Sequence, residues 1–112
     1  MKKVKAFVRC QKVEAVLNTL EEAGIEGVTL IDVLGLGSYS DPKTAKYSYD
    51  CVEKYSNIAK LELVCSSADV HRIVEIIRTT AYSGMKGDGI VFVSPVDMAV
   101  IIRTGAVGED GL

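Results

Sequence analysis

The strongest constraint on the fold is a strand-then-helix pattern that occurs twice within 112 residues. From Lys3 to Arg9 the side chains alternate, with Val4, Ala6 and Val8 on one face and Lys3, Lys5, Phe7 and Arg9 on the other, which is the period of a half-buried β-strand. Val13, Val16, Leu17 and Leu20 then recur at helical spacing, and Gly24 supplies a stop, so residues 12 to 23 are expected to form an amphipathic helix. The β-branched run from Val28 to Val33 reads as a second strand. The second unit repeats the order: a strand from Lys60 to Cys65, a cap at Ser66 or Ser67, a stripe of Val70, Ile73, Val74, Ile77 and Ala81, and a closing strand from Ile90 to Val93. Two βαβ halves of this size give an α+β, ferredoxin-like βαββαβ sandwich: one antiparallel sheet, two helices on a single face, and one domain over residues 1–112.

Two helices cover only one side of such a sheet. The other side would carry Phe7, Thr29, Ile31, Val64 and part of the strand from Ile90 to Val93, too much apolar surface to leave wet, so association through the bare face is expected. After Pro95, the segment Met98 to Arg103 has the character of an extra strand able to reach a neighbouring copy. A monomer with a third covering element is the competing account.

Composition narrows the partners. Hydrophobic residues make up 48% and charged residues 25%, the balance of an ordered globular chain. A net charge of -2 leaves no electrostatic footprint for nucleic acid or an anionic membrane. No apolar run approaches the roughly 20 residues that span a bilayer, and Met1-Lys2-Lys3 leads directly into a strand pattern, so a cytoplasmic location without membrane insertion is expected. Cys10, Cys51 and Cys65 are odd in number and lack Cys-x-x-Cys spacing, which argues against both a disulfide framework and a zinc site. Cys65 alternates with Leu61 and Leu63 and reads as a small buried hydrophobe.

Chemistry concentrates in Ser83-Gly84-Met85-Lys86-Gly87-Asp88-Gly89, which runs straight into an apolar strand and is followed by Ile102-Arg103-Thr104-Gly105. Glycine-rich main chain leaves its N–H groups free of side-chain bulk, and such groups hold anions such as phosphate. Arg103 offers the planar fork of donors that oxyanions favour. The plainer reading is a turn alone, with Asp88 accepting main-chain N–H bonds to hold it closed. His71 lies off the apolar stripe of the second helix, where a solvated position is expected. No nucleophile-base pair, paired carboxylates or metal-ligand set is visible, so catalysis is not expected from the residues, with slow hydrolysis of a phosphate ligand as the alternative.

The least regular segment runs from Gly35 to Asn57 and holds Tyr39, Tyr47, Tyr49 and Tyr55 together with Pro42 and Cys51. Long connections without a repeating pattern are usually functional or disordered. Exposed tyrosines supply apolar contact area at low entropic cost, which favours a partner-binding loop over about residues 37–57; a hairpin whose tyrosines pack on one another is the alternative.

The opening Met1-Lys2-Lys3-Val4, Arg9, Gly24-Ile25-x-Gly27-x-Thr29, Gly35-Leu36-Gly37, Lys60-Leu61-Glu62, Gly84-x-x-Gly87-Asp88-Gly89-x-x-Phe92-Val93 and Ile102-Arg103-Thr104-Gly105 together resemble the PII nitrogen-regulatory signalling proteins. The likeness spans nearly the whole chain and is weakest in the 37–57 loop. It implies a homotrimer whose sheets face inward, an adenine nucleotide in each cleft between subunits, and a projecting loop that engages a membrane transporter or metabolic enzyme. By the same resemblance Thr29 and Val64 would line the base pocket, Gly35, Leu36, Gly37, Gly87, Asp88 and Gly89 would bring main chain close to the ligand, and Arg103 would meet phosphate.

The departures from the family pattern are equally specific. Ile90 stands where the turn continues with a basic residue, and Ile101 where a second strand arginine is expected. Each charged hydrogen bond to an anion is worth about 1.5–3 kcal/mol, so ADP or AMP is favoured over ATP as the effector, with Lys86 or Lys60 as replacement cations, although Lys60 alternates with Glu62 and reads better as its structural partner. Tyr39 and Ile58 occupy the places of the glutamine and lysine used by members that sense 2-oxoglutarate, which argues against that ligand here. Cys51 replaces a tyrosine that is nucleotidylated in some relatives. The alternatives are a trimeric interaction module that works without nucleotide and a PII-like sensor of another small ligand.

Overall fold

The computed structural model describes residues 1–33 and 58–108. Strand β1 (Lys2–Arg9) passes directly into helix α1 (Cys10–Glu22), which is followed by β2 (Thr29–Val33), β3 (Ile58–Cys65), a 3-10 turn at Ser67–Asp69, helix α2 (Val70–Ala81) and β4 (Gly89–Pro95). The four strands form one antiparallel sheet in the order β2-β3-β1-β4. This is the expected α+β, ferredoxin-like arrangement. The connection at 34–57, with Gly35, Leu36, Gly37, Tyr39, Tyr47, Tyr49, Cys51 and Tyr55, lies outside the described residues.

The alternation read from β1 decides which face is covered. Val4, Ala6 and Val8 are buried with Leu61, Leu63 and Cys65 of β3 against Val16 and Leu20 of α1 and Ile73, Ile77 and Ala81 of α2, in a single core. Each helix therefore offers an apolar stripe to the same face of the sheet. Helix α1 begins at Cys10, earlier than expected, because neither proline nor glycine separates it from the strand. Its end follows the expected signal: Gly24 has φ +81°, its N–H donates to the Glu21 carbonyl at 2.9 Å, and the Ile25 N–H reaches the Leu20 carbonyl at 2.9 Å. Ser66 caps differently from expectation, since its hydroxyl pairs with the Asp69 carboxylate at 3.2 Å and makes no side-chain cap bond.

The opposite face stays open among the described residues. Phe7 sits between Lys60 and Ile90 in register, and Lys5 between Glu62 and Phe92. Phe7 and Phe92 meet edge to face at 6.3 Å. Ile31, Ile90 and Phe92 keep 39%, 44% and 46% of their surface exposed, which is the bare apolar face anticipated from the sequence. Glu62 lies between Lys60 at 3.4 Å and Lys3 at 3.7 Å, so Lys60 is already paired within the sheet. Burial pushes the Glu62 pKa up, but Lys3, Lys60 and Lys5 outweigh that and hold it below its ordinary value.

The segment from Met98 to Arg103 is not the extra strand expected. It folds back on itself, with one bridge between Val100 and Val107, an Ile101 N–H bond to the Ala106 carbonyl at 2.9 Å and a Gly105 N–H bond to the Ile101 carbonyl at 2.7 Å. Gly105, at φ +73°, reverses the chain before a strand can extend. Ile102 is left wholly exposed. No helix among the described residues is long and apolar enough to cross a membrane.

Truncation separates the two faces of α2. Ile77→Ala, at a fully buried position, is expected to lower unfolding free energy by about 2–5 kcal/mol, whereas His71→Ala, at an exposed one, stays within about 0.5 kcal/mol; urea denaturation measures both.

Candidate functional site

The turn between α2 and β4 is built from three glycines with left-handed backbone: Gly84 at φ +83°, Gly87 at +98° and Gly89 at +104°. Gly89 is the most constrained. A Cβ there would stand 1.7 Å from the Phe7 carbonyl oxygen and 2.7 Å from its carbon, so β4 joins β1 only because the side chain is absent. The last ladder pair, Val8 with Gly89, fixes the turn to the end of β1.

Inside the turn the Asp88 carboxylate is almost fully engaged. One oxygen accepts the Ser83 N–H at 2.8 Å and the Gly84 N–H at 3.0 Å. The other accepts the Ser83 hydroxyl and the Arg9 Nε–H, the latter at 3.3 Å. Arg9 also donates from Nη2 to the Lys86 carbonyl. Burial alone would push the Asp88 pKa up, but the donors from Ser83, Gly84 and Arg9 outweigh it and hold the group below the ordinary aspartate value. The main-chain N–H groups of Lys86, Gly87 and Asp88 donate to no acceptor among the described residues. Gly87 is itself buried, and a buried amide without a partner is costly enough to be uncommon.

Two hollows flank the sheet. One of about 380 Å³ lies beside the turn and is lined by Phe7, Tyr82, Asp88, Gly89 and Ile90 among others. The other, also about 380 Å³, is lined by Lys3, Gly27, Thr29, Glu62 and Val64 among others. The fold thus brings Thr29 to Val64, and Asp88 to Gly87 and Gly89, but keeps the two groups apart within one chain. Thr29 is on edge strand β2 and Gly89 on edge strand β4, with β3 and β1 between them. At the usual strand spacing the sheet is roughly 14 Å across. Arg103 is exposed in the reversed segment after β4.

The Arg9–Asp88 contact was not legible from the sequence. Alternation placed Arg9 on the open side of β1, whereas it is only 7% exposed and pairs with a residue 79 positions away. Only its place at the strand end, where chain direction changes, offered any signal. Lys3 beside Thr29 was likewise unassigned, while Glu62 was expected only as the partner of Lys60, a pair the structure shows at 3.4 Å. Among the described residues no cluster of metal-ligating side chains occurs, His71 is exposed, and Cys10 and Cys65 are unbonded to each other.

The fold is a small α+β, ferredoxin-like domain with a glycine turn at one sheet edge, and sequence comparison gives it a family. Residues 1–106 match the family model described as nitrogen regulatory protein P-II. The chain is 39% identical over 108 residues to the nitrogen fixation nifHD region GlnB-like protein 1 of Methanococcus maripaludis, covering 96% of this chain and 99% of the relative. It is 35% identical over 116 residues to the nitrogen regulatory protein P-II of Azospirillum brasilense, covering both in full. With the nitrogen regulatory protein P-II 2 of Methanothermobacter thermautotrophicus identity is 39% over 113 residues, covering 97% and 95%. The chain belongs to the P-II family of nitrogen-regulatory signal-transduction proteins.

Steric constraint and charge pairing in the turn are separately measurable. Gly89→Ala is expected to destabilise the chain well beyond Gly105→Ala, which adds a Cβ with nothing within 4 Å and costs only the left-handed backbone penalty of about 1–2 kcal/mol. For Asp88 the sign is set by its lowered pKa: its contribution is fully present above the ordinary aspartate range and is lost as pH falls through the folded-state value. Urea unfolding should therefore show Asp88→Asn weaker than the unaltered protein at neutral pH, with the gap closing in strong acid.

Proposed function

We propose that this chain is a PII-like signal-transduction regulator that assembles as a homotrimer, holds an adenine nucleotide between copies, and passes its occupancy to a membrane transporter or metabolic enzyme through the 37–57 segment. The observation that carries this reading is the separation of two half-sites. Unpartnered amides at the glycine turn lie on one edge of the sheet, while the Thr29 and Val64 hollow lies on the other. A ligand that touches both kinds of surface must bridge the β4 edge of one copy and the β2 edge of the next. The open face supplies the means of association, because Ile31, Ile90 and Phe92 favour burial against neighbours.

In the assembled cleft the main-chain donors of Gly87 and Asp88, with Gly89 beside them, would meet phosphate, and Gly35, Leu36 and Gly37 are proposed as further nucleotide-binding residues. Arg103, exposed in the reversed segment after β4, would supply the oxyanion fork. Thr29 and Val64 would receive the base. Ile90 and Ile101 add no charge, and Lys60 is spent on Glu62, which leaves Lys86 as the available replacement cation on the turn. That limited charge suits ADP or AMP better than ATP. The relatives named for nitrogen fixation and nitrogen regulation support a regulatory role in nitrogen metabolism; a cytoplasmic location and a binding rather than catalytic role are part of the same proposal. Tyr39, Tyr47, Tyr49, Tyr55 and Cys51 are the contact candidates for the regulated partner.

Light scattering should give a trimer, and calorimetric titration with ATP, ADP, AMP and cyclic AMP should give heat with at least ADP or AMP. Ile90→Lys adds one cationic contact worth about 1.5–3 kcal/mol and is expected to tighten ATP roughly 10- to 150-fold, more than AMP. Silence with all four nucleotides from a stable trimer would replace the sensor reading with a nucleotide-independent interaction module.

A further inference from the structure

Arg9 is the buried charged side chain of the described core, and nothing in the open-face pattern of β1 requires it. Its two bonds go to different parts of the same turn: the Asp88 carboxylate at 3.3 Å and the Lys86 carbonyl. The second bond has a geometric consequence. The peptide unit between Lys86 and Gly87 is planar and trans, since the described chain contains no cis bonds, so a carbonyl drawn towards Arg9 turns the Gly87 N–H the opposite way. That N–H is one of those without an acceptor among the described residues. The first bond has an electrostatic consequence. An unpaired carboxylate one residue from an anion seat would repel the anion, whereas Asp88 is neutralised by Arg9 and its lone pairs are filled by Ser83 and Gly84.

We propose that Arg9 is the positioning residue of the phosphate seat: through the Lys86 carbonyl it aims the Gly87 N–H away from its own guanidinium, and it cancels the charge of Asp88, without touching the ligand. Asp88 then serves the site through the shape of the turn, and its side chain makes no contact with phosphate. The inference rests on the reading of the turn as a phosphate site, and it assigns to a strand residue a role in ligand affinity. Lysine is a poor substitute, because one ammonium lacks the planar fork that reaches a carboxylate and a carbonyl at fixed angles.

The test compares ADP with adenosine, which lacks phosphate, by NMR and calorimetric titration of the full chain and of Arg9→Met, Arg9→Lys and the double variant Arg9→Met/Asp88→Asn. Hydrogen exchange at the Ser83 and Gly84 amides is followed without ligand. Arg9→Met is expected to weaken ADP at least tenfold, to leave adenosine within twofold, and to speed exchange at both amides. Arg9→Lys should recover part of the ADP affinity, and the double variant should bind ADP no more weakly than Arg9→Met. Unchanged ADP affinity in Arg9→Met, equal losses for ADP and adenosine, or unchanged exchange at Ser83 and Gly84 would each overturn the role of Arg9. Should Arg9→Met fail to fold, Arg9→Lys decides: a severalfold loss confined to ADP supports the role, and full affinity overturns it. If the unaltered chain binds no nucleotide, the phosphate reading itself fails, while the exchange rates still report separately whether Arg9 holds the turn.

Discussion

The contact between Arg9 and Asp88 joins the end of the first strand to a turn 79 residues later, and the geometry of that turn depends on it. A guanidinium this deeply buried is tolerable only when paired, and removing either partner would strand the other charge in a poorly solvated place. The same carboxylate gathers the amides of Ser83 and Gly84, so one ion pair fixes the exit from α2 and the entry to β4 together. Gly89 completes the arrangement by permitting β4 to press against the Phe7 carbonyl. The turn is consequently a preorganised loop, with its polar groups either used internally or left without an acceptor among the described residues.

Sheet order turns this local device into a question of assembly. With β2 and β4 at opposite edges, Thr29 and the amides beside Gly87 lie apart in a single chain, roughly 14 Å across the sheet at the usual strand spacing. Association of copies is what would unite them, and the apolar residues of the open face are suited to drive it. Regulation follows naturally from such an arrangement. A ligand held between copies has different contacts in different relative dispositions of those copies, and only a difference of that kind can shift a conformational equilibrium. Membership of the P-II family accords with a regulatory role.

Much of the fold was legible because its periodicities are strong. Val4, Ala6 and Val8 alternate without interruption, and the stripes through Val16 and Leu20 and through Ile73 and Ile77 leave no doubt about which faces are apolar. Gly24 marked a helix end correctly because a left-handed residue was needed there. The segment from Met98 misled because β-branched composition was read without the reversing effect of Gly105, whose backbone sends the chain back to a single bridge. The glycine turn was recognisable as a candidate site, and Asp88 as the group that closes it. Arg9 was not, since a pairing across 79 residues leaves no local pattern and alternation alone assigns a strand-end arginine to the wrong environment. Thr29 and Val64 were placed together by strand pairing, with Thr29 opposite Glu62 and Val64 opposite Lys3, a register that no single strand reveals.

Main-chain donors at the glycine turn are proposed to receive a nucleoside phosphate in a cleft shared between copies. Amide chemical shifts recorded while ADP is titrated into nitrogen-15-labelled protein test it most directly. The account requires saturable shifts at Gly87, Asp88 and Gly89 that follow the same isotherm as shifts at Thr29 and Val64. Saturation that moves Thr29 and Val64 while the turn amides stay still, or a turn that never responds at millimolar ADP, would contradict it.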